Sequence, residues 1–259
     1  MKNIKYFLAI IMLFAVNAFA QVHTEFITYK DGEVILEGYI AYDESFKNKR
    51  PGVLVVHEWT GINDYTKLRC EQLAKLGYVA FAADIYGKGI RPSIPEEAGK
   101  QASIYKNDRQ LMRKRINLAL DEIKKQEFVD SEKISAIGYC FGGTVVLELA
   151  RSGADVKGIV SFHGGLDTPD ISDANNIKAK VLVLHGADDP YVPEEQLNTF
   201  EKEMRDAKVD WQLVSYGGAV HSFTNPGAGN DNSKGAAYNE KADKRSWEVM
   251  KNFFNEIFK

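Results

Sequence analysis

The stretch Ile134-Ser135-Ala136-Ile137-Gly138-Tyr139-Cys140-Phe141-Gly142-Gly143 decides how the rest of the chain is interpreted. Its apolar first part predicts a strand, and the run 144–150 that follows predicts a helix. Gly138 and Gly142 stand two residues before and two residues after Cys140, as the sharp turn of a nucleophile elbow requires. The residue at the tip of that turn is usually serine. A cysteine there points to acyl transfer through a thioester.

Two later loops carry the partners that a thiol nucleophile needs. The stretch His185-Gly186-Ala187-Asp188-Asp189-Pro190-Tyr191-Val192-Pro193 follows one predicted strand, and Gly217-Gly218-Ala219-Val220-His221-Ser222-Phe223 follows the last one. His221 can accept the thiol proton, and Asp189 can accept the other ring N–H and stabilise the imidazolium. The order nucleophile, acid, histidine is the chain order of α/β hydrolases.

Other residues compete for the acid and base roles. Asp188 is an alternative acid, but the spacing to Val192 and Pro193 favours Asp189 and leaves Asp188 a turn residue. Asp84 is a second alternative, although a turn before Gly87 is the simpler role for it. Three further histidines end predicted strands, and structural roles are favoured for them: His57, His163 and His185.

An acyl-transfer site also needs donors for the oxyanion of its intermediate. The backbone N–H of Phe141, at the start of the helix after the elbow, is the first candidate. The second donor is expected from the loop after the apolar run 53–57, where the N–H of Trp59 is the favoured candidate.

The remaining pattern predicts an α/β-hydrolase fold. Alternating residues at 25–29 and 34–42 around Asp31-Gly32 predict an N-terminal antiparallel hairpin. Apolar runs then alternate with helical patterns, which predicts a mostly parallel central sheet with helices on both faces and the active site at the carboxyl ends of the strands. The predicted strands are 52–57, 78–83, 134–137, 157–162, 180–185 and 211–216, and the predicted helices are 64–77, 95–126, 144–150, 194–207 and 239–258.

The first twenty residues have the pattern of a secretory signal peptide. Lys2 and Lys5 precede the apolar run 6–16, and Ala18-Phe19-Ala20 fits a cleavage site. We therefore expect residues 1–20 to be removed and residues 21–259 to form a single domain that is periplasmic or secreted, with no stable membrane insertion after cleavage. An uncleaved anchor is the alternative.

Composition narrows the range of partners. The 33 basic and 36 acidic residues give a net charge of −3, which offers no electrostatic reason to expect nucleic acid as a partner. No cluster has metal-ligand spacing, and no Gly-rich loop has a Walker or Rossmann pattern, so neither a metal nor an organic cofactor is expected. We expect a monomer that binds a small molecule.

Of the two cysteines, Cys70 shares a helix face with Leu73 and Ala74, which favours a buried thiol over a disulfide.

From about residue 53 to the final helix, the chain resembles the dienelactone hydrolase family. The likeness rests on His57-Glu58-Trp59-Thr60-Gly61, Ala83-Asp84-Ile85-Tyr86, the elbow, Asp189 with Val192-Pro193, and His221-Ser222-Phe223. The resemblance implies that Cys140, Asp189 and His221 form the triad and that Trp59 gives the second oxyanion N–H. It also implies that Glu58 contacts the resting thiol and accepts its proton once substrate binding frees the carboxylate.

One departure from the family pattern concerns the substrate. Family members that act on dienelactone hold its carboxylate with arginines, and one of these falls where this chain has Thr224-Asn225-Pro226. The nearest candidates for another are Lys100 and Gln101. Arg91 or Arg109 could bind the substrate carboxylate instead, but the sequence does not show where either lies relative to the site.

These observations predict a hydrolase that cleaves a small ester or lactone, as dienelactone (carboxymethylenebutenolide) is cleaved, through a Cys140 thioester. Two alternatives stay open. The first is a cysteine-dependent amidase or peptidase that acts on envelope material, and the second is a non-catalytic binding relative.

Overall fold

A computed structural model describes residues 21–259, so the predicted signal peptide 1–20 lies outside the described residues. The strands are β1 (Val22–Asp31), β2 (Val34–Asp43), β3 (Arg50–Val56), β4 (Val79–Ala83), β5 (Val129–Tyr139), β6 (Gly158–Phe162), β7 (Lys180–Gly186) and β8 (Trp211–Tyr216). The α-helices are α1 (Asp64–Lys75), α2 (Pro95–Asn107), α3 (Arg109–Lys124), α4 (Phe141–Arg151), α5 (Glu194–Asp206) and α6 (Glu240–Ile257).

All eight strands belong to one mixed sheet in the order β1-β2-β4-β3-β5-β6-β7-β8. β1 and β2 form the expected antiparallel hairpin, and β2 also pairs antiparallel with β4. From β4 to β8 every pairing is parallel. The predicted mostly parallel sheet with an N-terminal hairpin is confirmed.

Successive side chains of the central strand β3 enter the cores on opposite faces of the sheet. Leu54 and Val56 join the core that contains side chains of α2, α3, α4 and α5, whereas Val53 and Val55 join the core that contains side chains of α1 and α6. This alternation follows from the two-residue period of a strand. It explains why the sequence of β3 is almost continuously apolar, as expected for a parallel strand covered on both faces.

The predicted helix over 95–126 is wrong in one respect, because the chain forms two helices there. Asp108 lies between α2 and α3 with φ −125° and ψ 85°, and its side chain accepts a hydrogen bond from the backbone N–H of Leu111. A carboxylate that caps a helix competes with continued helical hydrogen bonding, so it ends one helix and begins the next.

The carboxyl ends of β3, β5, β6, β7 and β8 lie along one edge of the sheet, and the loops that follow them carry the predicted site residues. Cys70 is fully buried in α1 and is a free thiol. Within residues 21–259, no helix combines the length and the apolar character that crossing a membrane requires.

Candidate active site

The turn between β5 and α4 holds Cys140 in a backbone conformation that residues other than glycine rarely adopt, with φ 54° and ψ −118°. The turn is tight on both sides. A Cβ atom on Gly138 would lie 2.0 Å from the carbonyl oxygen of Gly142, and a Cβ atom on Gly142 would lie 2.3 Å from that of Val56. Only glycine fits at either position. Strain of this kind is stored where function requires it, and here it presents the Cys140 side chain at the edge of the sheet.

His221 and Asp189 form a buried pair beside this thiol. Nδ1 of His221 donates to Oδ2 of Asp189 at 2.8 Å, and the other carboxylate oxygen accepts from the backbone N–H of Tyr191 at 2.9 Å. Burial disfavours the imidazolium, but the nearby Cys140 and Asp189 outweigh it and raise the pKa of His221 to about 10. The structure thus brings Cys140, Asp189 and His221 together at one edge of the sheet.

The two predicted oxyanion donors belong to residues that line the same cavity as Cys140 and His221. Trp59 and Phe141 both contribute to its wall. The Trp59 N–H has no backbone acceptor among residues 21–259. Phe141 is the first residue of α4, where backbone N–H groups lack an intrahelical partner. The hydroxyl of Tyr86 donates to the Trp59 carbonyl oxygen at 3.0 Å and so holds the peptide that follows this N–H.

His57 supports the loop that carries Trp59. Its Nε2 atom accepts from the Ile85 N–H at 3.4 Å, so Nδ1 carries the proton and donates to the Glu58 carbonyl oxygen at 2.6 Å. The ring also stacks on Phe141, with centroids 5.8 Å apart. Burial lowers the pKa of His57 to about 4, so the ring stays neutral. His57 therefore has the structural role that was favoured for it.

Glu58 is buried beside the cavity with its carboxylate bound to two side chains. Oε2 accepts from Nδ2 of Asn225 at 2.6 Å, and Oε1 accepts from Oγ of Ser222 at 3.3 Å. Burial raises the pKa of Glu58, and the Asn225 amide and the His221 charge partly oppose that rise. Ser222 itself lines the cavity, so Glu58 is connected to the substrate space through that hydroxyl.

The other candidates for the acid and base roles lie outside the cavity. Asp84 accepts from the backbone N–H groups of Tyr86 and Gly87, which is the turn role expected for it. Asp188 is exposed, and His185 is buried without lining the cavity. Within residues 21–259, no His, Cys, Asp and Glu side chains converge on a geometry that would hold a metal ion.

The cavity has a volume of about 430 Å³ and extends from Cys140 to the side of α2. None of the basic residues considered from the sequence lines it. Arg91 donates to backbone carbonyl oxygens, Arg109 pairs with Asp167 at 2.7 Å, and Lys100 pairs with Glu96 on the exposed side of α2. The lysine that does line the cavity is Lys106, which the sequence reasoning missed. Its place in the last turn of α2 carried no motif.

Comparison with known proteins places this site in a family. The model of the family described as "Dienelactone hydrolase family" matches residues 36–258. A crystal structure described as a dienelactone hydrolase-like promiscuous phosphotriesterase, P91, from metagenomic libraries is 43% identical, with a TM-score of 0.88 over 92% of this chain and 99% of that chain.

Two curated relatives carry provisional names. A protein of Aquifex aeolicus provisionally named carboxymethylenebutenolidase is 27% identical over 240 residues, which cover 91% of this chain and 99% of that protein. A Bradyrhizobium protein provisionally named 2-oxo-3-(5-oxofuran-2-ylidene)propanoate lactonase is 29% identical over 182 residues, covering 67% of this chain and 73% of that protein.

Proposed function

Because this chain belongs to the dienelactone hydrolase family of hydrolases, we propose that it cleaves small carboxylic esters or lactones through a thioester on Cys140. The observation that carries the proposal is the convergence of a strained Cys140, the His221–Asp189 pair and two candidate N–H donors on one cavity. The provisional lactonase and butenolidase names of two relatives agree with this substrate class.

The proposed acylation step starts from an ion pair in which the Cys140 thiol has given its proton to Nε2 of His221, whose raised pKa favours the imidazolium. The sulfur then attacks the substrate carbonyl carbon, and the C–S bond forms as the carbonyl π electrons move to oxygen. The N–H groups of Trp59 and Phe141 donate to that oxyanion. When the intermediate collapses, the C–O bond to the leaving group breaks and His221 returns the proton to the departing oxygen.

Deacylation repeats these steps with water. His221 accepts a proton from the water molecule, the resulting hydroxide attacks the thioester carbon, and the C–S bond breaks to release the acid and the Cys140 thiolate. Asp189 keeps the His221 ring in the tautomer whose Nε2 atom faces the reacting groups.

We retain Glu58 as a proposed second base for the thiol. Its raised pKa suits proton acceptance, but the carboxylate is held by Asn225 and Ser222. A substrate that contacts Ser222 in the cavity would compete with Glu58 for that hydroxyl and so loosen one of the two bonds. Proton acceptance by Glu58 would therefore depend on substrate, whereas acceptance by His221 would not.

Replacing the nucleophile tests the proposal. Cys140→Ala should abolish turnover of a panel of aryl esters, enol lactones and thioesters, while Cys70→Ala, which removes a buried thiol that does not line the cavity, should retain it. Unchanged turnover in Cys140→Ala would remove Cys140 from the mechanism. Absence of any turnover by the wild-type protein would favour the non-catalytic alternative, and hydrolysis of amides at rates equal to those of matched esters would favour the amidase.

A second candidate activity is hydrolysis of phosphate triesters, because the 43% identical protein P91 is described as a promiscuous phosphotriesterase. The same sulfur could attack phosphorus as the P–O bond to the aryloxide breaks, with the same two N–H groups donating to the phosphoryl oxygen, and water would then cleave the S–P bond to release the dialkyl phosphate and the thiolate. An aryl dialkyl phosphate tested with wild-type protein and Cys140→Ala would show whether this activity exists and whether it uses the same nucleophile.

We also propose that the protein is exported, on the pattern of residues 1–20 alone. N-terminal sequencing of the mature protein should begin at Gln21. A mature chain that retains Met1 would contradict cleavage.

A further inference from the structure

His163 lies beside both the nucleophile and the base, and the reaction steps above do not use it. It follows β6, is buried, and packs edge-to-face against His221 with ring centroids 5.3 Å apart. The backbone N–H of Cys140 donates to two acceptors, the carbonyl oxygen of Phe162 at 3.0 Å and Nδ1 of His163 at 3.1 Å. A side chain therefore holds the strained peptide that presents the sulfur.

This contact fixes the tautomer of the His163 ring. A backbone N–H can only donate, so Nδ1 of His163 must carry a lone pair. The proton of the neutral ring is then on Nε2, which donates to Oγ1 of Thr224 at 2.7 Å. The reverse tautomer would place one N–H against another at Cys140 and leave Nε2 as the acceptor.

A chain of hydrogen bonds anchors Thr224, the partner of Nε2, from the other side. Oγ1 of Thr224 is 2.6 Å from Oη of Tyr65, and that oxygen accepts from Nε of Arg69 at 3.2 Å. Arg69 also donates to the Thr224 carbonyl oxygen at 2.8 Å and pairs with Asp243 of α6 at 2.5 Å. Helices α1 and α6 thereby hold Thr224 in place, and Thr224 in turn holds His163.

The electrostatic surroundings keep the ring uncharged. Burial lowers the pKa of His163 well below its usual value, and the charged or titratable groups that act on it, His221, Arg69 and His185, lower it further. His163 thus keeps its Nδ1 lone pair even when His221 carries a proton.

We propose that His163 is a positioning residue for Cys140, whose Nδ1 lone pair holds the nucleophile peptide and whose Nε2–H is anchored by Thr224 and, behind it, by Tyr65 and Arg69. The inference rests on the proposed function, because it needs Cys140 to be the nucleophile. A shift of the nucleophile by about 1 Å can cost about 100-fold in rate, so the support of this one peptide affects catalysis.

Two substitutions at His163 distinguish the effect of the Nδ1 acceptor from the effect of the aromatic ring. In His163→Asn, the side-chain oxygen can take the place of Nδ1, whereas His163→Phe keeps a ring against His221 but has no acceptor. We expect His163→Asn to keep kcat for ester hydrolysis within about fivefold of wild type. We expect His163→Phe to lower kcat by about 10- to 100-fold with KM changed less than about threefold. Wild-type kcat in His163→Phe, or equal losses in both variants, would overturn the inference.

The tautomer can be observed directly by ¹⁵N NMR of histidine-labelled protein. The wild-type spectrum should show His163 with an unprotonated Nδ1 and a protonated Nε2, unchanged in Thr224→Ser. In Thr224→Val the Nε2 resonance should shift because Nε2–H loses its acceptor, whereas Nδ1 should stay unprotonated because the Cys140 N–H still donates to it. A wild-type ring protonated on Nδ1 would overturn the inference, and that observation does not depend on any variant folding.

The rate at which iodoacetamide alkylates Cys140 tests the positioning role of His163 separately from the proposed function. The reaction needs no ester substrate, and it should be slower in His163→Phe than in His163→Asn. If Cys140→Ala retains full ester hydrolysis, the proposed function fails. If Cys140→Ala is inactive but alkylation rates in the two His163 variants are equal, only the positioning role fails.

Discussion

Nδ1 of His221 lies 2.8 Å from Oδ2 of Asp189, and the carboxylate is inaccessible to solvent whereas the ring is 12% exposed. Because Asp189 accepts the Nδ1 proton, Nε2 is the ring atom left for proton exchange with Cys140 and substrate. The orientation of the base is thus set by a carboxylate that never meets the substrate.

Asp189→Asn should lower kcat for ester hydrolysis by about 100- to 10,000-fold, since an amide can donate to Nδ1 and select the wrong tautomer. Circular dichroism should show an unchanged fold. Asp188→Asn is the matched control, because the neighbouring carboxylate is exposed and should be dispensable. Equal activity of Asp189→Asn and wild type would exclude Asp189 as the residue that orients the base.

The raised pKa of His221 predicts a dependence on pH and on the leaving group. The imidazolium persists below about pH 10 and loses its proton as the pH rises through that value. Alkyl esters need a proton on the departing oxygen, so kcat/KM for them should fall above about pH 10. Aryl esters, whose phenolates leave without protonation, should show a weaker decline. Initial rates corrected for spontaneous hydrolysis would test this, and identical profiles for the two ester classes would contradict it.

Asn225→Asp should destabilise the fold in a pH-dependent way. It places a second carboxylate where the Asn225 amide now lies 2.6 Å from Glu58, which should cost about 2 kcal/mol and lower Tm by about 4–8 °C at neutral pH. The loss should shrink as the pH falls, because burial and the second carboxylate both favour a proton on one of the two carboxyls. Asn230→Asp adds the same charge at an exposed position and should leave Tm unchanged. A pH-independent Tm difference for Asn225→Asp would contradict the proposed contact.

Lys106 should favour substrates that carry an anionic group away from the scissile bond. It lines the cavity, and the acidic residue that shares this lining, Asp167, is paired with Arg109. Lys106→Gln should raise KM for a carboxylate-bearing ester about two- to fivefold at low salt, the range expected for an exposed charge, and leave KM for a neutral ester unchanged. Lys100→Gln on the same helix is the control. Equal KM changes for both substrates would show that the Lys106 charge is not used.

The sequence was sufficient for the sheet and for the chain order of the site residues, because each central strand is a short apolar run and each site residue lies in the loop or turn after a strand. The resemblance to the dienelactone hydrolase family is confirmed by the family match over residues 36–258. The interruption at Asp108 was missed because neither Gly nor Pro marks it, although Asn107 and Asp108 are residue types that favour helix caps.

Contacts between residues far apart in the chain could not be predicted from the sequence. Tyr65 and Thr224 are 159 positions apart, and Asn225 and Glu58 are 167 apart. No local pattern signals such pairs, since they form only when the loops after different strands meet at one edge of the sheet. The departure at Asn225 was visible as a missing arginine, but the sequence could not show that its amide binds Glu58.

Detection of the acyl-enzyme tests the central claim most directly. Acylation removes the interaction with the Cys140 sulfur that helps raise the pKa of His221, so deacylation, which needs a neutral ring, should slow at acidic pH and let the thioester accumulate. Wild-type protein mixed with an aryl ester in mildly acidic buffer and quenched in acid should gain the mass of one acyl group, located by peptide mapping on Cys140 and absent from Cys140→Ala. Turnover with an acyl group on a different residue, or with no covalent adduct on the millisecond-to-minute timescale at any pH, would contradict the thioester mechanism.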